Sequence, residues 1–475
     1  YSALRFNTTG ASNTAVGYYA LRENTIGHDC TAVGYQALDA NTEGQYNTAI
    51  GSGALSAITT GDRCTAVGTY SLSVNTGTYN CAVGMYALAA NTSAQYNVAM
   101  GYNTLGANTT GEYNTAFGTH ALDANTTADS NTALGYNALT ANTTGAENTA
   151  VGGGALGANT TAANNTAVGS NCLAANTTGH SNVAVGHDAM EASNAENCTA
   201  VGFEAMKSLS TGNSNTAVGS GALFSVTTGI QNTAVGRYAG DAITTGQYNT
   251  AMGIQSLTNC TDGDFNACVG RSSGQEVTTG DRNTCMGNDA GSSITTGSNN
   301  LMLGNQSGNS GSPSGTVTTG SNIVCLGNGS ISDLYCADTS ISSSDARDKT
   351  DVEDFKHGLS WITELRPVTY RWDRRIWYGD DENPKGTPDG SKKRARIHIG
   401  FLAQEAIEVE KKHGYGDKKD NMLIANQDED EKDPSYGYKY ERLVPVLVNA
   451  IKELKAENDE LRSLIKDSKT FASLK

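Results

Sequence analysis

Apolar and polar positions alternate in short, repeated blocks over most of the chain. The unit is Asn-Thr-Ala-Val-Gly-Tyr-x-Ala-Leu-x-Ala-Asn-Thr-Thr-Gly-x-x, with marker glycines running from Gly17, Gly34 and Gly51 to Gly304 at a stride of 17 residues with two steps of 16. A degenerate last copy ends at Gly327. A period this short excludes helix-pair repeats. The Asn-Thr-Thr-Gly blocks read as turns, because Gly and Asn tolerate positive φ. Two strand-like pieces lie between them, Thr-Ala-Val and Tyr-x-Ala-Leu. Each unit therefore predicts one coil of a β-solenoid, and about 19 coils stacked about 4.8 Å apart make a rod of about 90 Å.

Alternation along a strand assigns its two faces. In the stretch 47–51, Thr48 and Ile50 share one face and Asn47, Ala49 and Gly51 the other. The Val/Ile/Leu/Met position before each marker glycine is expected to fill the solenoid interior. The opposite face is small, uncharged and repetitive, so it is expected to meet another chain, with Asn side chains bonding from coil to coil. A monomeric solenoid with a threonine-rich flat face, as in an ice-binding protein, is the alternative. The Ala and Val of the repeated face, in place of regular Thr-x-Thr pairs, argue against it.

Beyond Gly327 the repeat fades into a serine-rich neck and the pattern changes. Leu359, Ile362 and Leu365 predict a short helix stopped by Pro367. Val368 to Trp372 and Arg396 to Phe401 read as strands, the segment 379–391 as a loop, and Ala403 to Val409 as a helix. Val444, Leu447, Ile451, Leu454, Asn458, Leu461 and Ile465 follow alternating steps of three and four, a heptad seam in which a polar Asn458 sets register. An amphipathic helix of a globular domain gives a similar pattern; the polar seam residue and the terminal position favour a coiled coil.

Composition divides the chain at the same place. Residues 1–343 carry 7 Lys/Arg against 21 Asp/Glu, and residues 344–475 carry 25 against 27. A shaft at −14 does not track a phosphate backbone, so nucleic acid is not an expected partner. No apolar run is long enough for a membrane span, and no signal peptide is visible. The chain opens in mid-repeat without an initiator methionine, as a fragment would.

The ten cysteines follow the repeat: Cys30, Cys64 and Cys198 stand where other copies have Asn, and Cys268, Cys285 and Cys325 where others have Ala. They read as small buried thiols of a protein assembled in a reducing cytoplasm. No C-x-x-C pair occurs, so a zinc site is not expected, and no motif calls for a cofactor. Asp428 to Asp433 read as an acidic surface loop, for which calcium is the open alternative although the spacing fits no EF-hand loop.

Two resemblances follow from these motifs. The Asn-Thr-Ala-Val-Gly unit resembles the Asn-Ser-x-Ala-Ile-Gly repeat in the heads of trimeric autotransporter adhesins, whose unit is about three residues shorter; this implies a trimerising β-roll over residues 1–327. Ser344-Asp345-Ala346-Arg347-Asp348-Lys349, Leu365-Arg366-Pro367-Val368-Thr369-Tyr370-Arg371-Trp372, Gly400-Phe401-Leu402-Ala403-Gln404-Glu405 and Tyr440-Glu441-Arg442-Leu443-Val444-Pro445 occur in order. Together they resemble the intramolecular chaperone of endosialidase-type phage tailspikes and fibres, over residues 344–475.

That resemblance implies a trimeric chaperone that templates fibre assembly and then cuts itself off with a serine–lysine dyad. It implies Ser344 as nucleophile, Lys349 as base and the Ser343–Ser344 bond as the cut. Ser342 and Ser343 compete by residue type alone. A serine hydroxyl needs a base, and a lysine serves when its pKa is lowered. His357, His398 and His413 invite a Ser/His/Asp triad, which the family does not use.

The expected architecture is mainly β: a trimeric β-solenoid shaft over 1–327, a neck over 328–343, and a small α+β chaperone domain over 344–475 ending in a long coiled-coil helix. The expected role is the distal part of a phage tail fibre, assembled in the host cytoplasm as a homotrimer. Its expected partner is a host surface receptor, a glycan or outer-membrane component. Two other readings are a cellular trimeric surface adhesin, for which a C-terminal β-barrel anchor is expected, and the non-catalytic end of a polysaccharide-degrading tailspike. Glu23, Asp39 and Glu43 occupy variable repeat positions and form no carboxylate pair of glycosidase type.

Overall fold

The computed structural model describes residues 2–331, 352–378, 385–418, 421–427, 434 and 436–473. The chain forms two compact units, residues 1–333 and 334–475. The first is a β-solenoid. Its 19 strands, β1 (Thr14–Val16) to β19 (Val324–Leu326), are three residues each. Consecutive strands pair in parallel and in register, so that Ala99 of β6 (Val98–Met100) faces Ala116 of β7 (Thr115–Phe117). The turns are stacked in the same way: Leu38 N–H donates to the Ala54 carbonyl at 3.0 Å and Thr42 N–H to that of Thr59 at 2.9 Å.

The two strand faces are the reverse of the sequence expectation. The Ala of each Thr-Ala-Val strand is buried, while Thr48 is half-buried and Ile50 is exposed. Val16, Met100, Leu134, Met252 and Met286 are likewise exposed. The reason lies in the turn. The Ala-Leu pair, as in Ala54-Leu55, folds inward and is fully buried. Together with the strand alanines and two columns of asparagine it fills the narrow bore, which leaves the residue before each marker glycine outside.

One strand per coil is formed, not two. The Tyr-x-Ala-Leu stretch is a run of turns in which Leu55 and Leu105 sit at φ 49° and 51°. A left-handed leucine costs about 1–2 kcal/mol, and burying its side chain returns about 1.5–3 kcal/mol. Positive φ falls at the marker glycines, such as Gly118 at 132°, and not at the glycine of Asn-Thr-Thr-Gly. That second glycine answers a close approach: a Cβ on Gly44 would lie 2.4 Å from the Gly61 carbonyl oxygen.

The asparagine columns are inside the coil and bond from coil to coil. In one, Asn108 Nδ2 donates to Asn91 Oδ1 and to the Gly111 carbonyl, each at 2.9 Å. In the other, Asn131 N–H donates to Asn114 Oδ1 at 3.0 Å and Asn131 Nδ2 to the Gly145 carbonyl at 2.9 Å. Cys30 replaces one such asparagine, its thiol reaching the Gly44 carbonyl at 3.3 Å. The described cysteines are free thiols, and all but Cys81 are buried. Burial pushes the Cys64 thiol up to about 11 and that of Cys172 up to about 12.

The second unit is small and mixed. It contains α1 (Leu359–Glu364), β20 (Val368–Tyr370), β21 (His398–Gly400), α2 (Ala403–Lys412), β22 (Ala425–Gln427), β23 (Tyr436–Tyr438) and α3 (Leu443–Ser473). β20 pairs antiparallel with β21, and β22 with β23. The second hairpin has no counterpart in the sequence reading, since Ala-Asn-Gln and Tyr-Gly-Tyr carry little strand pattern. Trp361, Ile407, Val409, Ile424, Leu443 and Val446 make the core.

Candidate functional site

The elements of the second unit are fixed by polar contacts as much as by its small core. Leu359 N–H at the start of α1 donates to Glu453 Oε2 of α3 at 2.6 Å. Gly358 lies so near α3 that a Cβ there would meet the Ala450 nitrogen at 2.6 Å. Glu410 of α2 is fully buried, and its carboxylate accepts the backbone N–H groups of Leu423, Ile424 and Ala425 at 2.9, 2.7 and 2.9 Å. This buried anion therefore has three donors, the condition under which such a group is tolerated. Its partners lie 13 to 15 residues away in a segment with no motif, so sequence reasoning missed it.

An apolar cavity of about 360 Å³ lies beside this core, lined by Phe355, Trp361, Leu423, Ile424, Arg442, Pro445 and Val446. The buried Trp361 indole N–H has no partner among the described residues. The three histidines are engaged elsewhere. His413 Nε2 lies 3.2 Å from Glu364, whose carboxyl is held below its usual range by Lys412 first and then, after opposition from desolvation, by His413. His398 stacks on Tyr370, and His357 meets the His413 ring edge-on. Among the described residues none of them bonds a serine hydroxyl.

Ser343, Ser344 and Lys349 lie outside the described residues, as do Ser342 and the acidic segment 428–433. The seam of α3 is described. Val444, Leu447, Ile451, Leu454, Leu461 and Ile465 are exposed in the single chain, and so is Asn458. Leu443, Val446 and Ala450, on the other face of the helix, are buried. The first turns of α3 thus complete the core while the heptad face is left to solvent. No helix among the described residues is long and apolar enough to cross a membrane, and no cluster of His, Cys, Asp and Glu able to hold a metal ion occurs among them.

Residues 344–415 match the family model described as chaperone of endosialidase. The matched stretch begins at Ser344 and includes α1, β20, β21 and α2; the Tyr440–Pro445 motif and α3 lie beyond it. The comparison with curated proteins gave no match, and neither did that with solved structures. The chain therefore carries a chaperone-of-endosialidase domain C-terminal to a β-solenoid repeat region. A domain of this family implies an intramolecular chaperone that is a self-cleaving peptidase, acts in trimers and is typical of phage tail fibres and tailspikes.

Proposed function

We propose that this chain is the distal part of a homotrimeric phage tail fibre, assembled in the host cytoplasm and facing a host surface receptor, a glycan or outer-membrane component. Its C-terminal domain templates trimeric folding and then releases itself. The observation that carries this reading is the family match opening at Ser344 directly behind a solenoid.

Ser344 Oγ attacks the carbonyl carbon of Ser343 while Lys349, acting as a neutral amine, takes the hydroxyl proton and passes it to the departing Ser344 amide nitrogen. Water then hydrolyses the ester. This leaves a carboxylate on Ser343 and a free amine and hydroxyl on Ser344. No metal or cofactor enters.

Trimerisation is supported by two apolar faces that a single chain leaves uncovered. One is the heptad seam of α3. The other is the row of Val, Ile, Leu and Met on the outer strand face of the solenoid, including Val16, Ile50, Met100 and Leu134. A row of exposed apolar side chains repeated along a sheet marks an interaction surface. It takes over the role first expected of the small face, which is interior.

Mass spectrometry of the freshly folded protein tests the reading. Fragments of 343 and 132 residues, the smaller beginning Ser-Asp-Ala-Arg-Asp-Lys, are expected. An intact chain, or a different new N-terminus, overturns the proposed cut.

A further inference from the structure

Tyr46, Arg63, Tyr79, Tyr96 and Tyr113 occupy one place in five consecutive coils, just before the inward asparagine or the cysteine that replaces it. All five are exposed. The Tyr79 and Tyr96 rings stack at 5.0 Å between centres and 9° between planes, and those of Tyr96 and Tyr113 at 5.2 Å and 4°. Arg63 continues the row between Tyr46 and Tyr79. Its guanidinium lies 5.3 Å from the first ring centre and 5.6 Å from the second, and its Nη1 donates to the Tyr79 hydroxyl at 3.2 Å. Inside the stack each ring face meets a neighbour, so the row turns ring edges and phenol hydroxyls outward. Tyr113 differs. The next coil has Ser130 at this place, which leaves one face of the Tyr113 ring open, and its exposure is 58% against 42% for Tyr79 and 45% for Tyr96.

Composition separates this row from the face proposed for trimer contact. Each of the 19 solenoid strands ends in Val, Ile, Leu, Met or Phe, so that face is apolar in every coil. The tyrosine column is aromatic only here and at Tyr248 and Phe265, and elsewhere it holds residues such as Asp29, Ser130 and Glu147, as a column facing solvent does. A partner of the row is therefore local to these coils, and it repeats at the coil step because the binding groups do. Two periodic polymers fit badly. An extended polypeptide repeats its side chains on one face every 6.8 Å or so, about twice the strand rise. A nucleic acid strand steps by about 3.4 Å and carries a negative charge at each step; residues 43–129 hold five acids and a single cation, Arg63. A chain of pyranose rings advances by one ring length per residue, close to the 5.0 and 5.2 Å between the tyrosines. Each such ring offers a C–H face beside a rim of hydroxyls. Tyrosine suits that ligand, being rigid, largely apolar and tipped with one hydroxyl. Beside the row, Gln95 Oε1 accepts the Thr78 hydroxyl at 3.0 Å, which leaves its Nε2 as a donor.

We propose that this row binds an uncharged polysaccharide, laid along the solenoid axis with one sugar ring to each coil. Sugar hydroxyls bond the tyrosine hydroxyls and Gln95, and the end ring lies against the open face of Tyr113. The surrounding acids disfavour sialylated or sulfated chains by like charge. The inference rests on the receptor reading above only for the source of the glycan, and adds its chemical class and the residues that hold it.

The test is retention of the full chain on an array of defined glycans, neutral, sialylated and sulfated, in graded lengths. Neutral chains are expected to be retained, more tightly as they lengthen toward the five coils of the row. Tyr96→Ser with Tyr113→Ser installs the residue that stands at Ser130, whose φ of 59° matches the 58° and 59° of the two tyrosines. The shaft is therefore expected to melt as the wild type does while binding about tenfold more weakly. Ser130→Tyr lengthens the row by one coil and is expected to bind more tightly. Absence of any retained neutral glycan, a preference for the anionic ones, or unchanged binding by the serine variant overturns the inference. If the serine variant melts differently, Ser130→Tyr decides, and binding no tighter than wild type overturns the inference. Mass spectrometry of the same sample separates the two claims. A chain cut between Ser343 and Ser344 that retains no glycan removes the row's role and keeps the fibre. An uncut chain that retains neutral glycans through this row removes the fibre reading and keeps the row.

Discussion

Asn131 donates its backbone N–H to the side-chain oxygen of Asn114, one coil earlier, at 3.0 Å. Its own side chain donates to the Gly145 carbonyl, and its own Oδ1 accepts the N–H of Asn148 at 3.0 Å. Each asparagine of this column thus serves its own coil and both neighbours. Asn131→Ala leaves the buried Asn148 N–H without its acceptor, at about 1–3 kcal/mol, and takes from the Gly145 carbonyl one of its two donors, the other being Asn142 Nδ2 at 2.9 Å. Hydrogen exchange is expected to speed up at Asn148 and in the strands on either side, and to be unchanged several coils away. Uniform loss of protection along the shaft would contradict this.

Two glycines of the solenoid, in coils two apart, separate backbone need from mere smallness. Gly118 has φ 132°, and a Cβ there would meet the Gly135 oxygen at 2.4 Å; Gly153 has its nearest neighbour at 3.9 Å. Gly118→Ala is expected to lower the melting temperature of the shaft markedly, because one coil must move off the next. Gly153→Ala is expected to leave it within about 0.5 kcal/mol of wild type. Equal melting of the two variants would contradict the stacking described.

Alkaline sensitivity follows from the buried thiols. Burial raises the folded pKa of Cys172 from an ordinary 9.0 to about 12. Above pH 9 the unfolded chain has lost this proton while the folded chain keeps it. Stability from this group is therefore complete below about pH 9 and declines as pH rises toward 12. Cys172→Ala installs the residue found at that place in most copies and is expected to flatten the decline in a pH series of thermal melts. An unchanged slope would assign it to other groups.

The two faces of α3 are expected to respond differently. Val446 is buried in the domain core, whereas Leu447 and Leu454 are 42% and 50% exposed. Val446→Ala is expected to destabilise the domain itself. Leu447→Ala with Leu454→Ala is expected to spare the domain core and to weaken the proposed trimer by about 2–5 kcal/mol for each leucine in each chain. Light scattering against concentration measures the second effect. A wild-type monomer at all concentrations removes the premise.

Cutting and folding are expected to separate. Ser344→Ala and Lys349→Ala each abolish the proposed cleavage without preventing assembly. The uncut rod loses kinetic resistance to heat and detergent, since the attached chaperone keeps refolding open. His413→Ala leaves cleavage intact, because its partner is Glu364. Continued cutting of the Ser344→Ala protein at the same bond would exclude the dyad.

The sequence by itself determined the solenoid, its 17-residue coil, the family of the C-terminal domain and the helix that closes it. Each of these is local: a stride of glycines, a motif, or an apolar period is written along neighbouring residues. Which strand face turns inward was decided only by the tertiary structure. Thr48-Ala49-Ile50 alternates equally well either way, and hydrophobicity favoured Ile50 inside. The choice falls to Leu55, five residues on, whose left-handed turn sends it into the bore and leaves room there only for Ala49 and the asparagines. The same holds in the second unit. Glu410 finds its three amide donors, and Arg374 and Arg394 come together across a hairpin, only because residues distant in sequence meet in space. No period or motif records such a meeting.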